Sequence, residues 1–220
     1  MRAIHEHEFE ESPGLPAPLP KNETVLWQGS PDWRSLAIHV FHLRKIAVYF
    51  AVMLMVQAAN LYDAQQPLSV WLMPCVTSFI LAGAALACLA MWAWLSSRTT
   101  LYTITDRRVV MRIGIVLSLT FNLPFKRITA ADLRLLDDQC GDISLKLPEQ
   151  DKIGFFHLWP HARGLNLKHP QPCMRCVPKA QAVGELLMSS WSRQGVAYSV
   201  TPAPPASQPS HALAFERLNL

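Results

Sequence analysis

Cys173 and Cys176 form a C-x-x-C pair, the spacing at which two thiolates can share a zinc ion or cycle as a dithiol. A structural zinc site needs four ligands, and no second pair accompanies this one. His157, His161 and His169 stand nearby without motif spacing, so no metal is assigned. The five cysteines, Cys75, Cys88, Cys140, Cys173 and Cys176, are odd in number and scattered. They make no disulfide framework and fit reduced thiols facing a cytoplasm. The sequence has no G-x-S-x-G, no glycine-rich phosphate loop and no H-E-x-x-H, the order of residues from His5 to Glu8 being wrong for the last. No catalytic residue, no enzymatic activity and no cofactor are expected. A net charge of +4 without a recognition motif also argues against nucleic-acid binding.

The elements around these residues divide sharply by charge. Between Lys45 and Arg98 lie 52 positions with one charged residue, Asp63. Ordinary soluble domains do not have this composition. Asp63 and Pro67 split the interval into residues 46–62 and 68–95, and a bilayer core about 30 Å thick needs about 20 helical residues. A two-helix transmembrane hairpin is predicted, with residues 63–67 as a periplasmic turn. The first stretch is at the lower limit of length, so a buried core helix or a re-entrant piece is the alternative there. Arg34, Arg44 and Lys45 before the first span and Arg98, Arg107 and Arg108 after the second place both termini in the cytoplasm. Tyr49, Tyr62, Trp71, Trp92 and Trp94 lie mostly toward the span ends, where aromatic rings anchor at headgroups. Pro74 either kinks the second span or sits in its first turn. A small-residue face at Ala82, Gly83, Ala84, Ala87 and Cys88 is a candidate for docking another helix, a second copy included. Residues 1–20 are acidic without an apolar core, which is unlike a signal peptide, and are expected to be a disordered arm. Residues 21–45 form a cytoplasmic pre-membrane segment.

Beyond Arg98 the period changes from continuous apolar to alternating. Thr100, Tyr102 and Ile104 alternate with Leu101, Thr103 and Thr105, as in a half-buried strand. A turn at Asp106 and Arg107, a strand over 108–113 and a turn at Gly114 follow. Further strands are predicted at 117–123, 125–135, 143–147 and 152–158, with Gly141 and Asp142 as turn residues. Residues 159–177, with Pro160, Pro170 and Pro172, read as irregular. Pro178 opens an amphipathic helix carrying Ala180, Val183, Leu186, Leu187 and Trp191, which Gly195 ends. Residues 99–195 thus form a cytoplasmic sheet or barrel closed by one helix, and the proline-rich residues 196–220 a disordered tail. The class is membrane α+β. Arg107, Arg108, Arg112, Lys126 and Arg127 are candidate contacts to anionic lipid or a partner, although basic residues beside a cytoplasmic membrane face follow from topology alone.

The segments "LWQGSPDW" (26–33) and "TTLYTITDRRVVMRIG" (99–114) resemble bacterial membrane proteins with a pleckstrin-homology-like domain. With "LPAPLPK", "NLPF", "GDISLKL" and "LWPHARGLNLKHPQPCMRCVP", the chain from about Leu15 to Trp191 resembles the PuhB family of photosynthetic-complex assembly proteins of purple bacteria. That resemblance implies a bent sheet capped by a C-terminal helix. It also implies a non-catalytic role in assembling the reaction centre and core light-harvesting complex, with the reaction-centre H subunit as an expected partner, in the inner (intracytoplasmic) membrane. A pigment-linked family raises histidine ligation, but neither span contains a histidine. His39 and His42 precede the first span and are expected at its interface.

Overall fold

The computed structural model describes residues 19–63, 67–115, 117–136, 140–148, 153–163, 170–194, 198–202 and 212–217. The chain divides into two compact units, with boundaries after Asp32 and after Leu95. The unit from Trp33 to Leu95 begins with the single turn α1 (Trp33–Ser35), which passes into a π-turn at Leu36–Val40. His39 lies in that turn, and His42, at φ 53, ends it. The long helices are α2 (Leu43–Asp63) and α3 (Leu68–Thr99). α2 has 21 residues against the 17 expected and so reaches about 31 Å at about 1.5 Å per residue. Both helices are long and apolar enough to cross a membrane, and none of the Leu43–Asn60 window is buried against the rest of the chain. A core helix would be covered, so the core-helix alternative fails for α2. Pro74 lies inside α3 rather than in its first turn, and Thr77 Oγ1 donates to the Met73 carbonyl at 2.8 Å beside it. The middle of the predicted 63–67 turn lies outside the described residues.

The other unit is built on two antiparallel sheets. The first runs in the order β1 (Val25–Gly29), β2 (Leu101–Thr105), β3 (Arg108–Ile113), β4 (Leu119–Pro124). The second contains β5 (Ala130–Leu135), β6 (Cys140–Lys146), β7 (Ala162–Arg163), β8 (Gln171–Pro178), β9 (Tyr198–Pro202) and β10 (Ala212–Arg217), in the order β7-β8-β6-β5-β10-β9. The single turn α4 (Phe155–Leu158) precedes β7, and α5 (Ala180–Ser192) caps the curled sheets. Tyr102, Ile104 and Met111 from the first sheet share a core with Ile143, Leu145 and Met174 from the second and with Val183, Leu187 and Trp191 from α5. The alternation that predicts β2 and β3 also buries them, because every second residue meets this core.

Five expectations need correction. The pre-membrane segment supplies β1, which pairs with β2 across the intervening hairpin, so the domain is discontinuous in sequence. Gly141 and Asp142 lie within β6, not in a turn. A Cβ at Gly141 would stand 2.6 Å from Ala180 Cβ, so glycine there permits α5 to approach the sheet. Strand was expected at 152–158, but the described part carries α4. The proline-marked stretch 159–177 contains β7 and β8, and Pro178 ends β8 while Lys179, at φ 52, caps α5. Residues 198–202 and 212–217 of the expected tail are strands, with β10 pairing along the outer edge of β5. A bare β5 edge would offer unpaired main-chain groups, and the added hairpin covers them. Residues 1–18 and Gly195 lie outside the described residues.

Candidate protein-docking groove

β1 reaches its place through contacts at both ends. Ahead of it, Arg108 Nε and Nη2 donate to Glu23 Oε1 and Oε2 at 2.7 and 2.9 Å, a bidentate pair with Glu23 almost fully buried. Thr24 and Asp106 exchange hydrogen bonds, the Thr24 amide to Asp106 Oδ1 at 3.1 Å and the Asp106 amide to the Thr24 carbonyl at 3.2 Å. After β1, Ser97 Oγ donates to the Pro31 carbonyl at 2.6 Å, and the Asp32 amide donates to the Cys176 carbonyl at 2.9 Å. The last bond joins the end of β1 to β8.

Between β1 and α5 opens a groove of about 470 Å³ lined by Trp27, Gln28, Gly29, Ser30, Pro178, Lys179, Ala182, Val183 and Leu186. That volume falls in the range that holds a few side chains. Its walls are mostly apolar. The Trp27 ring lies over Gly29, where a Cβ would come within 2.5 Å of it. Gln28 turns its amide to Thr103 Oγ1 at 2.9 Å, and Lys179 is exposed at the rim. β1 has a single strand neighbour, β2, among the described residues. A sheet edge beside an apolar helix face accepts either an added strand or a short apolar segment.

A buried polar network fixes the β8 wall. Tyr102 Oη accepts from the Arg175 amide at 3.1 Å and lies 2.6 Å from His161 Nδ1. The phenol oxygen can take the amide proton and still either donate to Nδ1 or accept from it. Nε2 faces Thr100 Oγ1 at 3.1 Å, so both ring nitrogens have a partner in either neutral tautomer. Burial, aided by the Arg175 charge, pushes the imidazole down to about 3, so it is neutral. Burial pushes the Tyr102 phenol up. Asp142 Oδ1 accepts from the Cys176 amide at 2.9 Å and Oδ2 from Arg175 Nη1 at 2.7 Å. Burial is the largest single influence and opposes the Arg175 charge, but the Asp142 charge and hydrogen bond, with smaller contributions from Cys173 and Cys176, together hold the guanidinium above its ordinary pKa. These bonds hold Cys176 in the left-handed conformation at φ 48 that aims its carbonyl at Asp32.

The C-x-x-C thiols are buried within β8. Burial first and the Asp142 charge second push both thiols up, so neither is poised as a thiolate. Among the described residues no group of three or more His, Cys, Asp or Glu side chains could hold a metal. His157 is exposed on α4, and His169 lies outside the described residues.

The basic candidates split. The register Arg108 to Pro124 gathers Arg107, Arg108, Lys126 and Arg127 at one end of the first sheet. Arg112, opposite Leu101 and Thr120, is four residues along β3, about 14 Å away at about 3.4 Å per residue. Arg107 is exposed beside Asp106 at 3.8 Å, Lys126 and Arg127 are exposed, and Arg108 is committed to Glu23. Of the small-residue face, Ala82 turns inward while Gly83, Ala84, Ala87 and Cys88 are exposed. Trp27 and His161 were within reach of sequence reasoning, both lying in the "LWQGSPDW" and "LWPHARG" segments, but neither has a spacing that announces its role.

Comparison with known proteins agrees with this architecture. The family model described as Bacterial PH domain matches residues 46–191. The chain is 36% identical over 187 residues to the Rhodobacter capsulatus protein named "Uncharacterized 23.7 kDa protein in puhA 5'region", covering 83% of this chain and 86% of that one. No solved structure matches it. With a family match over most of its length and a fold of curled antiparallel sheets closed by a C-terminal helix, the chain belongs to the bacterial PH domain family.

Proposed function

We propose that this protein is a non-enzymatic assembly factor for the photosynthetic reaction centre and its core light-harvesting complex. The observation that carries the reading is the 36% identical relative whose name sets it in the puhA 5' region. In this reading α2 and α3 cross the bacterial inner (intracytoplasmic) membrane with both termini in the cytoplasm, as the basic flanks favour. The groove between β1 and α5 takes an extended cytoplasmic segment of an incoming subunit, the H subunit being the expected partner. The exposed Gly83, Ala84, Ala87 and Cys88 offer close approach to a transmembrane helix of a subunit or of a second copy.

A photo-crosslinking side chain at the exposed Ala182, in the full chain in its own membranes, tests the groove. A crosslink to a reaction-centre subunit supports the reading. Crosslinks to lipid alone, or none, contradict it. The competing reading is an envelope protein whose domain binds anionic headgroups, favoured by the grouping of exposed Arg107, Lys126 and Arg127. Flotation of the full chain's binding to anionic lipid separates the two only through variants, so the comparison is made with Arg107→Ala and Lys126→Ala in the membrane. Loss of function in these, with Ala182 crosslinks unchanged, favours lipid.

A further inference from the structure

α3 ends at Thr99 and β2 begins at Leu101, so a single buried residue, Thr100, joins the apolar helix to the sheet. The start of β2 is thereby held near the end of α3 by covalent connection. Register then identifies what else lies at that end. Leu101 pairs with Arg112, and Ile113 pairs with Leu119, so the β3–β4 turn belongs to the same end of the sheet as the helix junction. Two strand spacings of about 4.8 Å place Leu119 within about 10 Å of Leu101. His161, bonded to Thr100, brings the segment that contains Trp159 to this end as well.

Among the side chains of this unit whose exposure is described, four large apolar ones are exposed: Val25, Leu117, Leu119 and Trp159. Three of them lie at the α3 end, and only Val25, opposite Thr105, lies at the other. Leu117, at 79% exposed, sits on the turn that Gly114 opens at φ 133. Leucine and tryptophan side chains exposed at the end of the sheet to which a bilayer-length helix is joined match the chemistry of the headgroup and acyl boundary, where apolar and amphipathic groups are favoured. The basic cluster of Arg107, Lys126 and Arg127 is at the opposite end of the strands.

We infer that Leu117, Leu119 and Trp159 form an apolar rim that enters the interface of the bilayer spanned by α3. The rim is a lipid contact made by apolar side chains, separate from any headgroup contact by the basic cluster and independent of the assembly role. It rests only on α3 crossing the membrane.

The test uses the full chain in phospholipid vesicles of mixed zwitterionic and anionic composition, in a Cys75→Ala, Cys88→Ala background. The remaining cysteines are buried, so a spin label attaches to an introduced thiol. Labels at Leu117→Cys and Trp159→Cys are compared with one at Arg107→Cys for collision with oxygen, which concentrates in lipid, and with a water-soluble nickel chelate. The expected result is an oxygen-to-nickel collision ratio several-fold higher at both rim positions than at Arg107→Cys. Equal ratios would overturn the inference by showing the rim in water. Shielding of the rim labels from both reagents would overturn it by showing that protein covers them. Loss of partner crosslinks from Ala182 leaves these outcomes unaffected.

Discussion

His161 shows how a residue without a motif becomes a structural centre. Its ring joins Thr100 at the end of α3 to Tyr102 on β2, and Tyr102 joins β8 through the Arg175 amide. An imidazole that titrates near 6.5 when unfolded and near 3 when buried makes stability depend on pH. Between those values the unfolded chain binds a proton that the folded chain refuses. The contribution of the neutral ring is therefore complete above about pH 6.5 and drains as pH falls toward 3, at about 1.4 kcal/mol per pH unit. Urea unfolding in detergent at pH 7, 5.5 and 4 should show this slope, and His161→Gln should lose about one proton's worth of it. Arg108 and Arg107 are adjacent in sequence and opposite in consequence. Arg108→Ala leaves the Glu23 carboxylate buried without its partner and should cost about 3 kcal/mol. Arg107→Ala removes an exposed pair and should change stability by less than about 0.5 kcal/mol. Thermal unfolding of the two variants side by side checks this. The sequence shows Arg107-Arg108 as a basic pair, and only the fold tells which one has a carboxylate across from it.

At the level of elements, the alternating strands β2, β3 and β4 are legible because on each a run of every second residue is large and apolar and faces the core, Tyr102 and Ile104, then Val109, Met111 and Ile113, then Phe121 and Leu123. β8 is not, because Pro170 and Pro172 mark its start and the left-handed Cys176 breaks its period. β1 is hidden for another reason, since its partner β2 is reached only after both long helices. Gly141 resembles turn chemistry but serves helix-to-sheet packing. Gly141→Ala should thus destabilise the domain by roughly 1–3 kcal/mol through overpacking against Ala180, whereas Gly83→Ala, whose added Cβ meets nothing within 4 Å, should be tolerated. Denaturant midpoints decide between them. The strands β9 and β10 stand on either side of a proline-rich stretch that reads as tail, and their order comes from pairing, β10 with β5 and β9 with β10, rather than from local pattern. Truncation after Gln194 should open the β5 edge, seen as faster amide exchange at Ala130–Leu135 and a greater tendency to aggregate. Unchanged exchange there would show that β5 does not depend on the hairpin.

For the whole molecule, the interval with Asp63 as its single charge predicts the two apolar helices, and it separates β1 from the rest of the domain in sequence. A chain that interrupts one sheet with two membrane-length helices ties both ends of the hairpin to a single folded body, β1 before it and β2 after it. The groove between β1 and α5 escaped sequence reasoning because its walls are about 150 residues apart and share no motif. Its residues are ordinary apolar side chains made into a site by the Asp32 to Cys176 bond and the network behind it. The central claim is that this groove serves reaction-centre assembly. The direct measurement is near-infrared absorbance of the reaction centre and core antenna in cells lacking the chain, complemented either with the native protein or with Ala182→Trp, which fills the groove from an exposed helix position. The account predicts a deficit without the chain, recovery with the native protein and no recovery with Ala182→Trp at equal protein level. Normal absorbance without the chain, or full recovery with the filled groove, would contradict it.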